Sequence, residues 1–239
     1  MRSVASPSPS SVISKARKDL DQAIKIAPDY ASGYVNRANF WTVSNQPQRA
    51  MADAESALRL EPDLPLAFFV RAGAESKLCL YDRSIDDYSN MLRLRPDSGA
   101  TIYAPRGYAF YRKGDYDHAI ADYDEWIKLS PNEAGAYLNR GDALRSKNEL
   151  ARAADDYGRA IRLAPDNPGG WKGRGTIRLL THDFPGAVAD FDRAIRLNPN
   201  ESVAYLNRGT ALLLLGENLR ALLDNDKRST STPTSRSRL

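Results

Sequence analysis

The chain has 239 residues, 42% hydrophobic and 27% charged, and no apolar run nears the roughly eighteen residues of a membrane span. Its net charge of +4 resides entirely in Lys227, Arg228, Arg236 and Arg238, which leaves residues 1–226 neutral, so no nucleic-acid partner and no membrane partner are expected. The single cysteine, Cys79, excludes an internal disulfide and a cysteine metal cluster.

The N-terminal stretch MRSVASPSPSSVIS lacks the apolar core of a signal peptide, and cytoplasmic residence is expected. Residues 1–13 are Ser/Pro-rich and expected to be disordered. A lone helix is expected at 14–27, ended by Pro28. That proline then returns as Pro62, Pro96, Pro131, Pro165 and Pro199, at spacings of 34, 34, 35, 34 and 34 residues. A fixed period of this length marks a solenoid of repeated units. The repeats are expected at about 31–64, 65–98, 99–133, 134–167, 168–201 and 202–227, followed by a disordered basic tail at 228–239.

Each repeat reads as two helices. In the second, an aliphatic stands four residues before the proline, an aromatic or smaller apolar residue eight before, and a small residue twelve before, as in Ile161, Tyr157 and Ala153. That spacing makes one helical face, which the proline ends by withholding an N–H and by disfavouring helical angles before it. The first helix carries an early aromatic (Tyr34, Phe68, Tyr103, Tyr137, Trp171, Tyr205) and, four residues on, a small residue (Ala38, Ala72, Gly107, Gly141, Gly175, Gly209) that allows close helix approach.

This pattern of aromatic, Gly or Ala, Ala, Tyr or Phe, Ala and Pro resembles the tetratricopeptide-repeat family over about residues 14–227. The resemblance implies an all-α fold, a right-handed α-solenoid of antiparallel helix pairs. It also implies a concave groove, lined by the first helices, that holds a peptide or partner protein. An arginine directly precedes each small residue where the wider family commonly has an aliphatic, which marks a variant subset with Asn-Arg-Gly or Asn-Arg-Ala in several repeats.

The departures are equally informative. The 35-residue interval adds a residue near 97–100, and Pro105 falls within the expected first helix, which should start late or kink there. Arg37, Arg71, Arg106, Arg140, Arg174 and Arg208 recur in register with Asp53, Asp87, Asp122, Asp156 and Asp190, nine residues before each proline; Asp19 and Asp224 lie in phase. This Arg–Asp ladder is read as structural, pairing packed helices, with Arg140→Leu better tolerated than Asp156→Ala. Residues just before the arginines (Asn36, Val70, Pro105, Asn139, Gly173, Asn207) are expected on the inner surface. The three asparagines resemble the ladder in the repeats of O-linked N-acetylglucosamine transferase, where amides clamp a peptide main chain; a plain solvated surface is the alternative. Asn39, Lys77, Tyr108, Tyr111, Arg112, Arg145 and Lys172 extend this candidate groove, the two tyrosines with Arg112 and Arg145 suiting an acidic or aromatic peptide. Lys172 and Asn207 match two positions of the family's chaperone-tail clamp, but no further unit completes it, so that ligand is not expected.

The last helices read ALLLLGENLRALL. Leu213, Leu214, Leu219, Leu222 and Leu223 are either tolerated exposure, a self-association face, or the cut edge of a longer array. No catalytic set, cofactor or metal is expected: His118 and His182 are far apart, GWKGRGT lacks a P-loop ending, and Cys79 reads as a partly buried structural thiol in a turn.

Overall fold

Each recurring proline closes one helix, and at Pro28, Pro62, Pro131, Pro165 and Pro199 four residues separate it from the next. The structure, a computed structural model, describes residues 9–222 and 224. The helices are α1 Pro9–Ile26, α2 Ala31–Val43, α3 Pro47–Leu60, α4 Pro65–Lys77, α5 Tyr81–Leu94, α6 Gly99–Lys113, α7 Tyr116–Leu129, α8 Ala134–Ser146, α9 Leu150–Leu163, α10 Pro168–Leu180, α11 Phe184–Leu197 and α12 Ser202–Leu214. A 3-10 turn, Pro96–Ser98, precedes α6, and residues 218–222 and 224 are again helical. No strand occurs among the described residues. The residue before the proline leaves the helix in extended geometry, as at Glu61 and Asn198, because a following proline disfavours helical angles.

The turn inside each helix pair is built differently. Asn45, Cys79, Gly114, Asn148, His182 and Gly216 all adopt positive φ, at the same place in successive repeats. The next amide then reaches back five residues, as Gln46 N to Trp41 O at 2.8 Å and Asp183 N to Arg178 O at 2.8 Å. This left-handed closure satisfies carbonyls that the helix end would otherwise orphan. Cys79 therefore stands exposed on a turn as a free thiol, not partly buried as its apolar neighbours suggest.

The chain divides into two compact units between Asp115 and Tyr116. The division falls in the repeat that holds the extra residue and Pro105, between its helices α6 and α7. In the first unit, Ala31, Val35, Ala38, Ala54, Ala57, Ala67 and Val70 form a core cluster. In the second, Ala187, Val188, Phe191, Ala194, Ile195, Ala204, Tyr205, Ala211, Leu212 and Ala221 do so. Alanine dominates because helices packed this closely have no room for more. Ser84 takes the alanine position in α5 and satisfies its hydroxyl on Ala72 O at 2.9 Å.

Two boundaries differ from expectation. The lone helix begins at Pro9 rather than residue 14, since proline is compatible with a first helical position, where no N–H is needed. Residues 1–8 and the tail 228–239 lie outside the described residues. Helix α6 does not start late: it begins at Gly99 and runs to Lys113 with Pro105 inside it. The extra residue is absorbed at its start, beside the 3-10 turn.

Candidate functional site

The first helix of each pair presents one face to the core and one outward, and the recurring arginine sits between them. Its fork is bidentate to the buried aspartate of the second helix. Arg37 Nε and Nη2 reach Asp53 at 2.8 and 2.7 Å, Arg71 reaches Asp87 at 2.6 and 2.8 Å, Arg140 reaches Asp156 at 2.8 and 2.7 Å, and Arg174 reaches Asp190 at 2.9 and 2.7 Å. Arg208 holds Asp224 in the same manner. Each of these arginines also lies over the early aromatic of its own helix, as Arg174 over Trp171 at 5.2 Å. That aromatic is pinned in turn: Tyr34 and Tyr137 hydroxyls donate to Pro28 O and Pro131 O at 3.0 Å, and Trp171 Nε1 to Pro165 O at 2.9 Å. The aspartate hydrogen bonds hold the arginine guanidinium proton more firmly than usual, most clearly at Arg37 and Arg140.

A second set of partners was not anticipated from the sequence. Arg37 Nη1 donates to Asp21 at 2.8 Å, Arg140 Nη1 to Asp124 at 2.6 Å and Arg208 Nη1 to Asp192 at 2.5 Å. Arg106 Nη1 donates to Ser89 Oγ at 3.1 Å. These oxygens all stand seven residues before the recurring proline, a register that the sequence carries. Asp122 is buried at 5% exposure in α7.

The candidate groove residues fall into separate groups. In the second unit, Asn139, Arg145, Lys172 and Asn207 do converge. With Leu138, Asp142, Tyr157, Thr176 and Val203 they line an open cavity of about 430 Å³ fed by α8, α10 and α12. Its floor is the Tyr157 ring from α9, which occupies the space that the absent side chain of Gly173 leaves. The Tyr157 hydroxyl donates to Asp142 Oδ1 at 2.7 Å, and burial together with Asp142 keeps that phenol protonated well above its ordinary range. Asn207 Nδ2 lies 3.5 Å from Thr176 Oγ1, Lys172 Nζ 3.3 Å from Glu201, and Arg145 Nη2 3.6 Å from Asp142. Val70, expected on the inner surface, is buried in the core cluster of the first unit instead, whereas Gly173 lines the cavity against the Tyr157 ring.

In the first unit, Lys77, Tyr108 and Arg112 gather around a depression of about 630 Å³ with Asn45, Gln48, Cys79 and Tyr81. Arg112 Nη1 donates to Tyr108 Oη at 2.5 Å and lies over the Tyr81 ring at 5.3 Å, while Lys77 Nζ donates to Thr42 O at 3.0 Å. Tyr111 does not line this depression. Asn36 and Asn39 are exposed on α2 and line neither cavity. Tyr81 was missed by sequence reading; its place two residues after the left-handed turn is the signal that locates it.

One buried carboxyl stands apart. Glu75 in α4 is fully buried, and neither of its oxygens makes a hydrogen bond, although Arg83 Nη2 lies 2.9 Å from Oε1. At the same place in other repeats, Trp41 Nε1 and Arg178 Nη1 each donate to the ladder aspartate at 2.9 Å. Glu75 faces Asp87 instead, and burial, then the Asp87 charge, push it up to about 7 against the opposing Arg83 and Arg71.

Among the described residues no helix is long and apolar enough to cross a membrane, and no group of three or more His, Cys, Asp or Glu side chains is placed to hold a metal.

Two tetratricopeptide-repeat family models match the chain, at residues 104–168 and 191–222. No curated relative matches it in sequence. Among solved structures it is similar to PilW, a type IV pilus biogenesis factor, at 20% identity and a TM-score of 0.75, covering 86% of this chain and 95% of that one. It is also similar to a tetratricopeptide repeat protein from Parabacteroides merdae, at 18% identity and a TM-score of 0.73, covering 93% and 88%. YrrB, a TPR protein with an unusual peptide-binding site, aligns at 20% identity with a TM-score of 0.64, covering 77% and 95%. At these identities the likeness is one of fold.

Proposed function

We propose, proceeding from the fact that this chain is a tetratricopeptide-repeat protein, that it is a non-catalytic protein-interaction module whose second unit holds a peptide segment of a partner on the face of α8, α10 and α12. The observation that carries this reading is the convergence of Asn139, Arg145, Lys172 and Asn207 on one open cavity. An asparagine amide offers both a donor and an acceptor, which suits a peptide group irrespective of its side chain. Asn139 makes no hydrogen bond among the described residues. Lys172 and Arg145 add cationic ends whose present partners, Glu201 and Asp142, are themselves part-exposed and exchangeable. Likeness of fold to YrrB, which has a peptide-binding site, is in keeping with this reading.

The test is capture of partners from lysate by the native chain and by a variant carrying Asn139→Ala, Lys172→Ala and Asn207→Ala. The reading expects loss of captured protein with helical content and melting temperature unchanged. Retention of the same partners by the folded variant overturns it.

A second reading is supported by the exposure of Leu213, Leu214, Leu219 and Leu222, at 50, 57, 81 and 59%. A patch of this kind suits self-association or a second partner face. Leu223 lies outside the described residues. Sedimentation of a monomer at all accessible concentrations removes the self-association version.

A further inference from the structure

Two rungs lack a second partner through Nη1, those of Arg71 and Arg174, and only at Arg174 does no side-chain oxygen stand in place: Arg71 has Glu55 there, which Arg83 holds at 3.2 Å. Arg37, Arg140 and Arg208 each bind two carboxylates, one bidentate through Nε and Nη2 and one through Nη1. Arg106 Nη1 meets a hydroxyl, that of Ser89. Arg174 has the same bidentate fork to Asp190, and the rigid plane of a guanidinium then aims its Nη1 the same way. What stands there, seven residues before Pro165, is Gly158. Arg174 Nη1 makes no hydrogen bond among the described residues.

The gap is not filled by repacking. It opens as a cavity of about 560 Å³ lined by Leu150, Ala151, Ala154, Asp155, Gly158 and Arg162 of α9 and by Arg174, Ile177, Arg178 and Thr181 of α10. It shares no residue with the peptide cavity described above. The Arg162 guanidinium leans over the gap, its Nη1 3.6 Å from where a Cβ on residue 158 would lie. Arg178 stands where other repeats carry Trp41, Glu75, Leu144 or Leu212, and it shares Asp190 with Arg174. The acids nearby are otherwise engaged or peripheral: Asp190 is buried beneath both forks, Asp183 lies 3.5 Å from Arg178 Nε, and Asp155 is exposed one turn before Gly158.

We propose that this cavity is a second ligand site, which takes a carboxylate borne on an aliphatic body, such as a peptide C-terminus or acidic side chain next to a leucine-like residue. The carboxylate occupies the place that Asp21, Asp124 and Asp192 hold in the sister rungs, between Arg174 Nη1 and Arg162. Charge-assisted hydrogen bonds to arginine favour a planar carboxylate there. Leu150, Ala151, Ala154 and Ile177 form the apolar wall for the attached chain.

Titration of the full chain with N-acetyl-leucine, followed by proton–nitrogen NMR, tests this. Expected are saturable shifts at Gly158, Arg162 and the Arg174 Nε–H, at least about tenfold weaker with neutral N-acetyl-leucinamide, because the amide carries no charge for the two guanidinium groups and sets an NH2 donor where the second carboxylate oxygen would accept. Gly158→Asp supplies the missing carboxylate in place, has room for its side chain, and is expected to abolish the shifts while raising the melting temperature. Arg162→Gln, outside the ladder, is expected to weaken binding in a chain of unchanged stability. No saturable shift at the solubility limit, equal response to the amide, tighter binding of inorganic phosphate, or full binding by folded Gly158→Asp overturns the proposal.

Discussion

Glu75 is a fully buried carboxyl beside the charge of Asp87, and its protonated form is the cheaper state there. Burial and the neighbouring charge raise the Glu75 carboxyl to about 7, above its ordinary value near 4.5. The folded chain therefore binds a proton between those values that the unfolded chain does not. Its contribution to stability is complete below about pH 4.5, falls as pH rises through 7, and is constant beyond. Urea unfolding from pH 5 to 8 is expected to show a loss of about 1–3 kcal/mol attributable to this group, absent in Glu75→Gln. The ladder pairs follow a different logic. Asp156 is deeply buried, whereas Arg140 is partly exposed and also holds Asp124. Removing Asp156 leaves Arg140 with a partner; removing Arg140 leaves a buried carboxylate with none. Arg140→Leu is thus expected to cost about 3–5 kcal/mol and more than Asp156→Ala, measured by chemical denaturation. This reverses the order that the sequence suggested, since exposure and the second partner were both invisible there.

Elements in this chain are positioned by what small residues permit. Gly175 in α10 has Phe191 of α11 2.9 Å from its would-be Cβ, and Gly173, on the same helix, has the Tyr157 ring of α9 still closer. Helix α10 is therefore clamped from both sides at residues with no side chain. Gly173→Ala gains roughly 1 kcal/mol of helix propensity but must displace a buried tyrosine whose hydroxyl is held by Asp142, and overpacking of that kind costs about 1–3 kcal/mol. Net destabilisation in thermal melts is expected, with the tyrosine environment near the groove changed in fluorescence. The small residue at 175 was legible from the period as a close-packing site. Gly173 was read as an interruption of the asparagine series, and its contact with Tyr157 required knowing which second helix lies behind it. The same holds for the groove: Asn139, Arg145, Lys172 and Asn207 are legible as first-helix surface, but the gathering of Tyr108 and Arg112 around the α4–α5 turn is not.

At the scale of the whole molecule, each helix pair rests only on its neighbours, so stability is local and the ends are least supported. Helix α1 exposes Val12, Ile13 and Ile26 at 50, 55 and 73%, and among the described residues no helix precedes it. Native-state hydrogen exchange is expected to find α1 amides the least protected of the first unit and α4 amides well protected; equal protection would contradict the nearest-neighbour picture. A 34-residue period, a proline and an in-phase small residue are local signals, repeated six times, and they alone determined the all-helical class, the pairing of helices and the helix ends beside the recurring prolines. They did so because helix termination and face selection depend on residues within a turn or two. Burial of Glu75, exposure of Cys79 and the continuity of α6 through Pro105 were decided only in three dimensions. So was the vacancy at Gly158 beside Arg174, where the same local pattern meets a neighbour that lacks the expected oxygen. Each of those depends on what a different helix brings to the contact, and one helix's sequence does not contain that information.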